Sequence, residues 1–530
     1  MTIKFDLTII GFGVIGTESL FKISQKINKK RIFKIAIIEK DTKKIPGGIA
    51  YNKFDSKFGF FNNPLRLSNP EFIIWIKKKS NINKLLSFID NNNDYNLKTW
   101  LIENKDFANR KLNKFNEIYF PRLVYSFFLE DKLKTIIKNI SSKKVIIKFY
   151  EGELDKINKI NKINKINKIN KINKINMLEC VSKKYLNEYK FQNKLKNFEL
   201  KFNNKKNFKS LLTKNLIIGN GLLPPKNINS GKKIKNNNYI WDFYNEGGTS
   251  NLIRKIEKVT LKKNITKIVF IGNKAGLLEA MPELENYIKN FKKDIRITTI
   301  APRSLSLEKA EKSKKFSSYK FKFFVNSNIK KIKKSEQILK LLKKEFLYSV
   351  SNGFNKYDVW TWILSKELLF KCYDKLSIIE KNIYNDVTFP LIRNITRYTY
   401  PNTVNSKKRL EQNKILSYIK DKVTKIENIN KTIKITTKKG SKIYTDLVVN
   451  VSGPINIKNS TKEVSFINSL KRISTNFNER GFVVDKDFMI NEKIYTPGTL
   501  SSNFNPNRLT IIKAITMNAH KAAIKILQNE

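Results

Sequence analysis

The chain has 530 residues, two cysteines, one histidine and a formal net charge of +60. That length calls for two or three domains, the cysteine pair excludes a disulfide framework or a zinc cluster, and the lone histidine excludes a multi-histidine metal site. The charge would ordinarily point to nucleic acid, but Phe (36) and Tyr (20) exceed Gly (19) and Pro (13), and the lysines are spread along the whole chain. A skew toward residues whose codons can be built from A and T explains this better, so the charge reads as a solvated basic surface.

The first element is a strand, Leu7 to Ile10, entering Gly11-Phe12-Gly13-Val14-Ile15-Gly16. A helical pattern follows through Ser19, Leu20 and Ile23, and then a second apolar run, Phe33 to Ile38, ending on Glu39. Strand, G-x-G-x-x-G turn, helix, strand and terminal acid form a dinucleotide-binding unit. Gly11 permits the tight turn, Gly13 lets backbone approach a pyrophosphate, and Gly16 lets helix pack on strand. The helix N-terminus offers N–H groups and partial positive charge to the phosphates. Glu39 can accept from ribose hydroxyls and would repel a 2′-phosphate, which favours FAD or NAD here. With a strand opening the chain and no apolar run near the roughly 20 residues of a membrane helix, the expectation is no signal peptide, no membrane and a cytoplasmic location.

Next come Pro46-Gly47-Gly48-Ile49-Ala50-Tyr51, Phe61-Asn62-Asn63-Pro64, and Ser68-Asn69-Pro70 leading to Phe72 and Trp75. Pro121-Arg122-Leu123-Val124-Tyr125 follows. Alone these are turn signals, with Ser68 or Asn69 capping a helix that has Pro70 at its first position. In this order they resemble the N-terminal FAD/NAD(P)-binding domain of flavoproteins of the urate hydroxylase and nitrosuccinate-forming aspartate N-monooxygenase type. Gly48, Ala50 and Tyr51 match that family's G-x-A-Y segment, Asn62 and Pro64 its Asn-x-Pro loop, and Arg122 and Tyr125 its Pro-Arg-x-x-Tyr helix start. The resemblance covers roughly residues 1 to 225, and Ser126 replaces a family glycine. It implies FAD binding by Gly48, Asn62 and Arg122.

Lys156 to Asn176 reads Lys-Ile-Asn seven times. Period three fits neither a helix face nor a strand face, so a low-complexity surface-loop insertion is expected. The strands flanking it, Val145 to Tyr150 and Phe198 to Phe202, read as a β-meander. Leu216-Ile217-Ile218-Gly219 reads either as an ordinary strand-end turn or, as the resemblance implies, as a strand returning to the FAD sheet with Gly219 close to the cofactor.

A second β-α-β candidate starts at Lys267 to Ile271, followed by Gly272-Asn273-Lys274-Ala275-Gly276 and the strand Ile295 to Ile300. Lys274 stands where the middle glycine belongs, Pro282 falls within the expected helix, and Arg303 is placed to hold a 2′-phosphate. Gly272, Lys274, Gly276 and Arg303 are the NAD(P) candidates. Residues 336 to 376 read as helical, with Leu339, Leu342, Phe346, Leu347 and Val350 on one face and Trp360 and Trp362 in the core. Arg393 and Arg397, near Tyr398 and Tyr400, are candidates for an anionic substrate. Asp446 to Pro454 repeats the strand-to-glycine pattern at Gly453, and Tyr495-Thr496-Pro497-Gly498-Thr499 resembles a closing flavin motif, so that Gly453, Gly498 and Thr499 are FAD candidates. There Thr499 takes the place of an aspartate. The final helix carries His520, read as structural.

The expected fold is α/β, two Rossmann-like dinucleotide-binding domains with a helical insertion. The boundaries are 1–235 for the first part of the FAD domain, 236–335 for the NAD(P)-like domain, 336–440 for the helical region and 441–530 for the closing FAD part. The resemblance implies reduction of FAD by NADPH or NADH and oxygen transfer from O₂ to a small nitrogen-containing substrate. Two readings compete: a non-catalytic FAD binder with a degenerate second site, and a basic nucleic-acid-associated protein on a Rossmann scaffold.

Overall fold

The computed structural model describes residues 4–28, 31–52, 59–61, 63–92, 95–141, 143–162, 175–194, 197–225, 228, 237–261, 263–273, 275–302, 308–309, 319–396, 398–429, 432–458, 465–479, 481–501 and 511–530. Asn62, Lys274, Arg303, Arg397 and the centre of the Lys-Ile-Asn repeat lie outside these residues.

The opening unit forms as its pattern dictates: β1 (Lys4–Ile10), α1 (Val14–Lys26) and β2 (Phe33–Glu39), the strands parallel with Leu7 opposite Ile35. Leu7, Ile9, Ile35 and Ile37 are completely buried, each stabilising the fold by about 1.5–3 kcal/mol. A helical layer follows, made of α2 (Pro70–Ile76), α3 (Lys79–Asn92), α4 (Tyr95–Glu103), α5 (Lys105–Ala108) and α6 (Arg122–Ser141). Of the two candidate caps for α2, Asn69 serves: its side chain accepts from the Glu71 N–H, with Pro70 in the first turn.

Two expectations are corrected here. The strand β3 (Val145–Glu151) is not only part of a meander: on one edge it lies parallel to β2, Ile35 opposite Ile147, and on the other antiparallel to the later strand at 175–194, Phe149 opposite Tyr189. Helix α6 is the crossover that makes this possible, since parallel neighbours need a long connection. The repeat is also more than a loop. Its start lies in β4 (Leu154–Lys162) and its end in β5 (Ile175–Lys194), antiparallel with Lys162 opposite Ile175. A ladder needs only backbone groups, so a period-three sequence can enter one. β5 pairs with β6 (Asn197–Ile218), whose end runs parallel to β1 with Ile10 opposite Ile218.

The second sheet begins with β7 (Tyr239–Ile240), α7 (Gly248–Thr260), β8 (Ile265–Ile271), α8 (Ala275–Phe291) and β9 (Asp294–Ala301). Helix α8 continues past Pro282 without ending. A short pair, β10 (Glu308–Lys309) and β11 (Tyr398–Thr399), brackets the insertion helices α9 (Asn326–Lys330), α10 (Ser335–Ser351), α11 (Lys356–Ser365), α12 (Leu368–Asp374), α13 (Ile378–Ile383) and α14 (Phe389–Ile395). Leu342 and Phe346 are buried as expected, but Leu347 and Val350 face solvent. After α15 (Pro401–Gln412) come β12 (Leu416–Lys420), then β13 (Val423–Ile429), β14 (Thr432–Thr437) and β15 (Lys442–Thr445) as an antiparallel sheet, and β16 (Leu447–Asn450). The chain closes with α16 (Ser465–Ile473), β17 (Met489–Asn491), β18 (Ile494–Tyr495) and α17 (Ile511–Asn529).

The strand orders are β17-β18-β6-β1-β2-β3-β5-β4 and β12-β9-β8-β16-β7. β12 and β16 therefore belong to the second sheet, so the helical region ends at α15 and the return to the first sheet comes after β16. The first sheet's core is closed by α1, α6 and α17 through Ile23, Ile136 and Ala519. A separate core joins α2–α6 to the insertion helices through Phe72, Trp100, Leu342 and Trp360.

Candidate functional site

In an open parallel sheet, ligands bind where neighbouring crossovers leave in opposite directions, at the carboxyl ends of the strands. In the first sheet that place lies between β1 and β6. Gly11 and Gly219 meet there: the Gly11 N–H donates to the Ile38 carbonyl at 2.8 Å and the Gly219 N–H to the Ile10 carbonyl at 2.7 Å. Gly11 has φ of 82°, and a β-carbon on it would lie 2.5 Å from the Gly219 carbonyl oxygen. A β-carbon on Gly16 would sit 2.4 Å from the Gly11 carbonyl oxygen, so helix and turn touch as the spacing predicts. Gly13 caps α1 without a side-chain acceptor, and α1 has no acid in its first turn. The donors of that turn thus meet no side-chain anion, which suits a phosphate.

Glu39 fastens this turn. Its Oε2 accepts from the Phe12 backbone N–H at 2.6 Å, and its Oε1 from the Asp41 N–H at 3.2 Å. Burial raises its pKa above the ordinary carboxylate value, partly offset by the Phe12 N–H. A carboxylate accepts about four hydrogen bonds, so acceptor capacity remains for a ribose.

The Pro46–Tyr51 segment folds over the same turn. Gly13 and Gly47 form a parallel bridge, and a β-carbon on Gly48 would lie 3.2 Å from the Gly13 Cα. Tyr51 packs against Phe61 and Tyr125, ring centroids 6.1 and 5.2 Å away. Arg122, at the start of α6, lies beside Gly59 and donates from Nε to the Phe60 carbonyl at 3.2 Å. Its Nη2 pairs with Glu279 of α8 at 2.5 Å. Burial opposes the charge on Arg122, but the Glu279 carboxylate wins and raises its pKa. Glu279 was not legible as a site residue; its only signal was a carboxylate one turn into the second helix of a very basic chain.

The closing segment reaches the same place. A β-carbon on Gly498 would fall 2.3 Å from the Ile15 Cδ1, which sets Gly498 against the first turn of α1. The Thr499 hydroxyl donates to the Gly221 carbonyl, joining the two returning segments. Behind α1, Glu18 is completely buried and binds Lys132 of α6 at 2.5 Å and His520 of α17 at 2.9 Å. Burial would raise the Glu18 pKa, but the His520 hydrogen bond and Lys132 charge hold it below the ordinary value. His520 is structural, as expected.

The second sheet repeats the design. Gly272, with φ of 99°, donates to the Ile300 carbonyl at 2.8 Å, and a β-carbon on it would lie 2.7 Å from the Ser452 Cα. A β-carbon on Gly276 would meet Val451 Cγ1 at 2.7 Å. Gly453 follows Val451 and Ser452, which pack on this second turn, because β16 pairs with β8. The two sheets' linkers run side by side, with Pro225 bridged to Pro454 and the Ile455 N–H donating to the Pro224 carbonyl at 2.8 Å. Arg393 does not join the site: it lies over the Phe389 ring on the exposed side of α14.

Residues 8–168 match the sequence model of a family described as FAD-NAD(P)-binding. No curated protein sequence matches the chain. Among solved structures, it is similar in fold to the FAD-bound cadaverine monooxygenase DfoA of Erwinia amylovora (9% identity, 100% of this chain and 95% of that one, TM-score 0.50). Others are the ornithine hydroxylase PvdA of Pseudomonas aeruginosa (12%, 99% and 99%, TM-score 0.47) and the lysine monooxygenase NbtG of Nocardia farcinica (10%, 97% and 99%, TM-score 0.43). The glycine turn, the helix that follows it and Glu39 all lie inside the matched span, so residues 8–168 are similar in sequence to an FAD-NAD(P)-binding domain.

Proposed function

We propose that the chain is an FAD-dependent, NAD(P)H-using monooxygenase that acts on a small nitrogen-containing substrate. The observation that carries this reading is the pair of like-built glycine turns, one per parallel sheet, tied together by Arg122 and Glu279. An enzyme that passes electrons from one dinucleotide to another needs two such sites. Bound FAD would supply electron transfer and oxygen activation, which no side chain here can provide. In this reading Gly13 leaves room for FAD at the head of α1, Gly11, Gly16, Gly48, Gly219 and Gly498 let the segments that line the FAD site close on one another, and the first turn of α1 donates to its phosphates. Glu39 accepts from the adenosine ribose; Asn62, Arg122 and Thr499 complete the FAD site. Gly272 and Gly276 shape the NAD(P)H site, where Lys274 pairs with phosphate and Arg303 reads a 2′-phosphate.

The likeness in fold to a cadaverine monooxygenase supports an amine as the substrate. Among the described residues no helix is long and apolar enough to cross a membrane. Cys372, a buried free thiol whose pKa burial pushes up to about 12, fits a cytoplasmic location. The test is anaerobic reduction of the purified flavin-loaded protein, followed by oxygen uptake with cadaverine, ornithine and lysine. NADPH should bleach the flavin faster than NADH, and Arg303→Ala should remove most of that preference, roughly ten- to a hundredfold for one charge-assisted contact. If neither nucleotide reduces the flavin, even in Lys274→Gly, the chain is a non-catalytic flavin binder.

A further inference from the structure

The helices α13 and α14 and the π-helical turn between them, Tyr384–Thr388, form one helical segment from Ile378 to Ile395. Its inner side is buried through Tyr384, Thr388, Phe389 and Ile392. Its outer side carries Ile379, Ile383, Val387 and Leu391, spaced by four and exposed by 73, 41, 56 and 46%, with Ile378 beside them at 81%. Single exposed apolar side chains need no explanation, but a contiguous row does.

The backbone keeps this row straight. In a plain α-helix four residues turn about 400°, so a row spaced by four drifts by about 40° at each step. A π turn, closed by i→i+5 bonds, turns less per residue and offsets the drift in the middle of the row. Pro390, with no N–H to give back to the preceding turn, explains why the irregularity falls there.

The charge of the segment narrows the partner. Residues 378–395 carry two acids, Glu380 and Asp386, and two bases, Lys381 and Arg393. The segment is therefore neutral, where the chain's average would give about two positive charges. Nucleic acid or an acidic membrane would be met by a basic face. A neutral apolar row is what lets two strongly positive copies of one chain approach. Set antiparallel about a two-fold axis near Asn385, the row complements itself, Ile379 against Leu391 and Ile383 against Val387, as an isologous interface requires. The five side chains expose on the order of 400–500 Å², the upper part of what a monomer ordinarily shows. A standard interface takes about 800 Å² per partner, so the row would form its centre. Alongside it Asp386 opens on a cleft of about 390 Å³ with Lys458, Phe477, Asn478 and Glu479, which supplies a polar rim.

We propose that this row is a homodimer interface in which two copies of the chain pair antiparallel through Ile379, Ile383, Val387 and Leu391. Light scattering of the flavin-loaded full chain should give twice the chain mass at micromolar concentration. Added salt should strengthen the dimer, because it screens the repulsion between two like-charged copies. Ile383→Asp and Val387→Asp should each shift the protein to monomer while bound flavin and melting temperature stay unchanged. Should either variant fold poorly, a mixture of Ile383→Cys and Val387→Cys copies reads the same contact: oxidation should crosslink one species to the other, with wild type as control. A wild type that is monomeric at every salt concentration overturns the proposal. So does a dimer indifferent to these substitutions, or salt-sensitive binding of the monomer to vesicles of acidic phospholipid through the same row.

Discussion

Gly11 and Gly13 stand two residues apart in one motif, yet the structure gives them different work. Gly11 has a left-handed φ and its missing side chain is replaced by the Gly219 carbonyl, so it serves the fold. At Gly13 a β-carbon would make only ordinary contact, 3.5 Å from the Gly47 carbonyl oxygen, so that position is open to a methyl group while no ligand is bound. Gly11→Ala should therefore lower the stability of the flavin-free protein by more than about 2 kcal/mol. Gly13→Ala should leave that stability unchanged and weaken FAD binding at least about tenfold, or about 1.4 kcal/mol. Denaturation midpoints of the flavin-free proteins and flavin titrations separate the two. Equal losses of stability would mean that Gly13 too serves only packing. The order of the glycines was legible in the sequence because the φ and close-approach demands of the turn leave few alternatives. The contacts were not: the strand ending in Gly219 could be read as returning to this sheet, but nothing local says that the Gly219 carbonyl takes the place of a Gly11 side chain.

Among the elements, β4 departs furthest from what its sequence suggested. The repeat has no periodic apolar face, but Ile157 is buried and its backbone N–H donates to the Ser469 Oγ of α16 at 2.9 Å. Tertiary contact supplies what periodicity lacked. Ile157→Ala should cost about 2–5 kcal/mol, the range for removing buried methyl groups. Replacing residues 163–174 by Asn-Gly, a two-residue hairpin turn, should change stability by no more than about 1.5 kcal/mol, since each doubling of a connection's length costs only about 0.6 kcal/mol. Urea denaturation of both variants tests this, and a large loss from the loop replacement would give the repeat's centre a packing or binding role. Helix α2 shows the opposite case: its Asn-Pro cap was readable because a cap is local chemistry. β3 was misread on its β2 edge alone, because a parallel partner is set by the connection before the strand, here α6, and not by the strand's own residues; its antiparallel pairing with β5 fits the reading.

Across the whole molecule, scarce carboxylates tie distant segments together. Asp6, Glu18, Asp131 and Glu285 are all held below the ordinary carboxylate pKa. In each, burial raises the value and hydrogen-bonded partners lower it further. For Glu285 those are chiefly Arg409 of α15 and Lys289, which bring it to about 2. A carboxyl whose pKa is lower folded than unfolded stabilises the fold above its unfolded pKa, and that contribution disappears as pH falls through the folded value. Stability should thus fall from about pH 4.5 downward, the Glu285 part being lost toward pH 2. Glu39, whose pKa is raised, works in the opposite sense and adds stability on acidification. Glu285→Gln should lower stability at neutral pH and flatten its loss between these values. An unchanged slope of denaturation midpoint against pH would show that the Arg409 pair contributes nothing. By itself the sequence determined the nucleotide-binding class, the first β-α-β unit, the second glycine turn and the structural role of His520, because each is written in short-range spacing or in composition. Only the tertiary structure decided that Val451 and Ser452 pack on the second turn, that β12 and β16 complete the second sheet, and that Arg122 meets Glu279. Strand order and ion-pair choice depend on which segments the packed cores bring together, and a linear pattern carries no record of that.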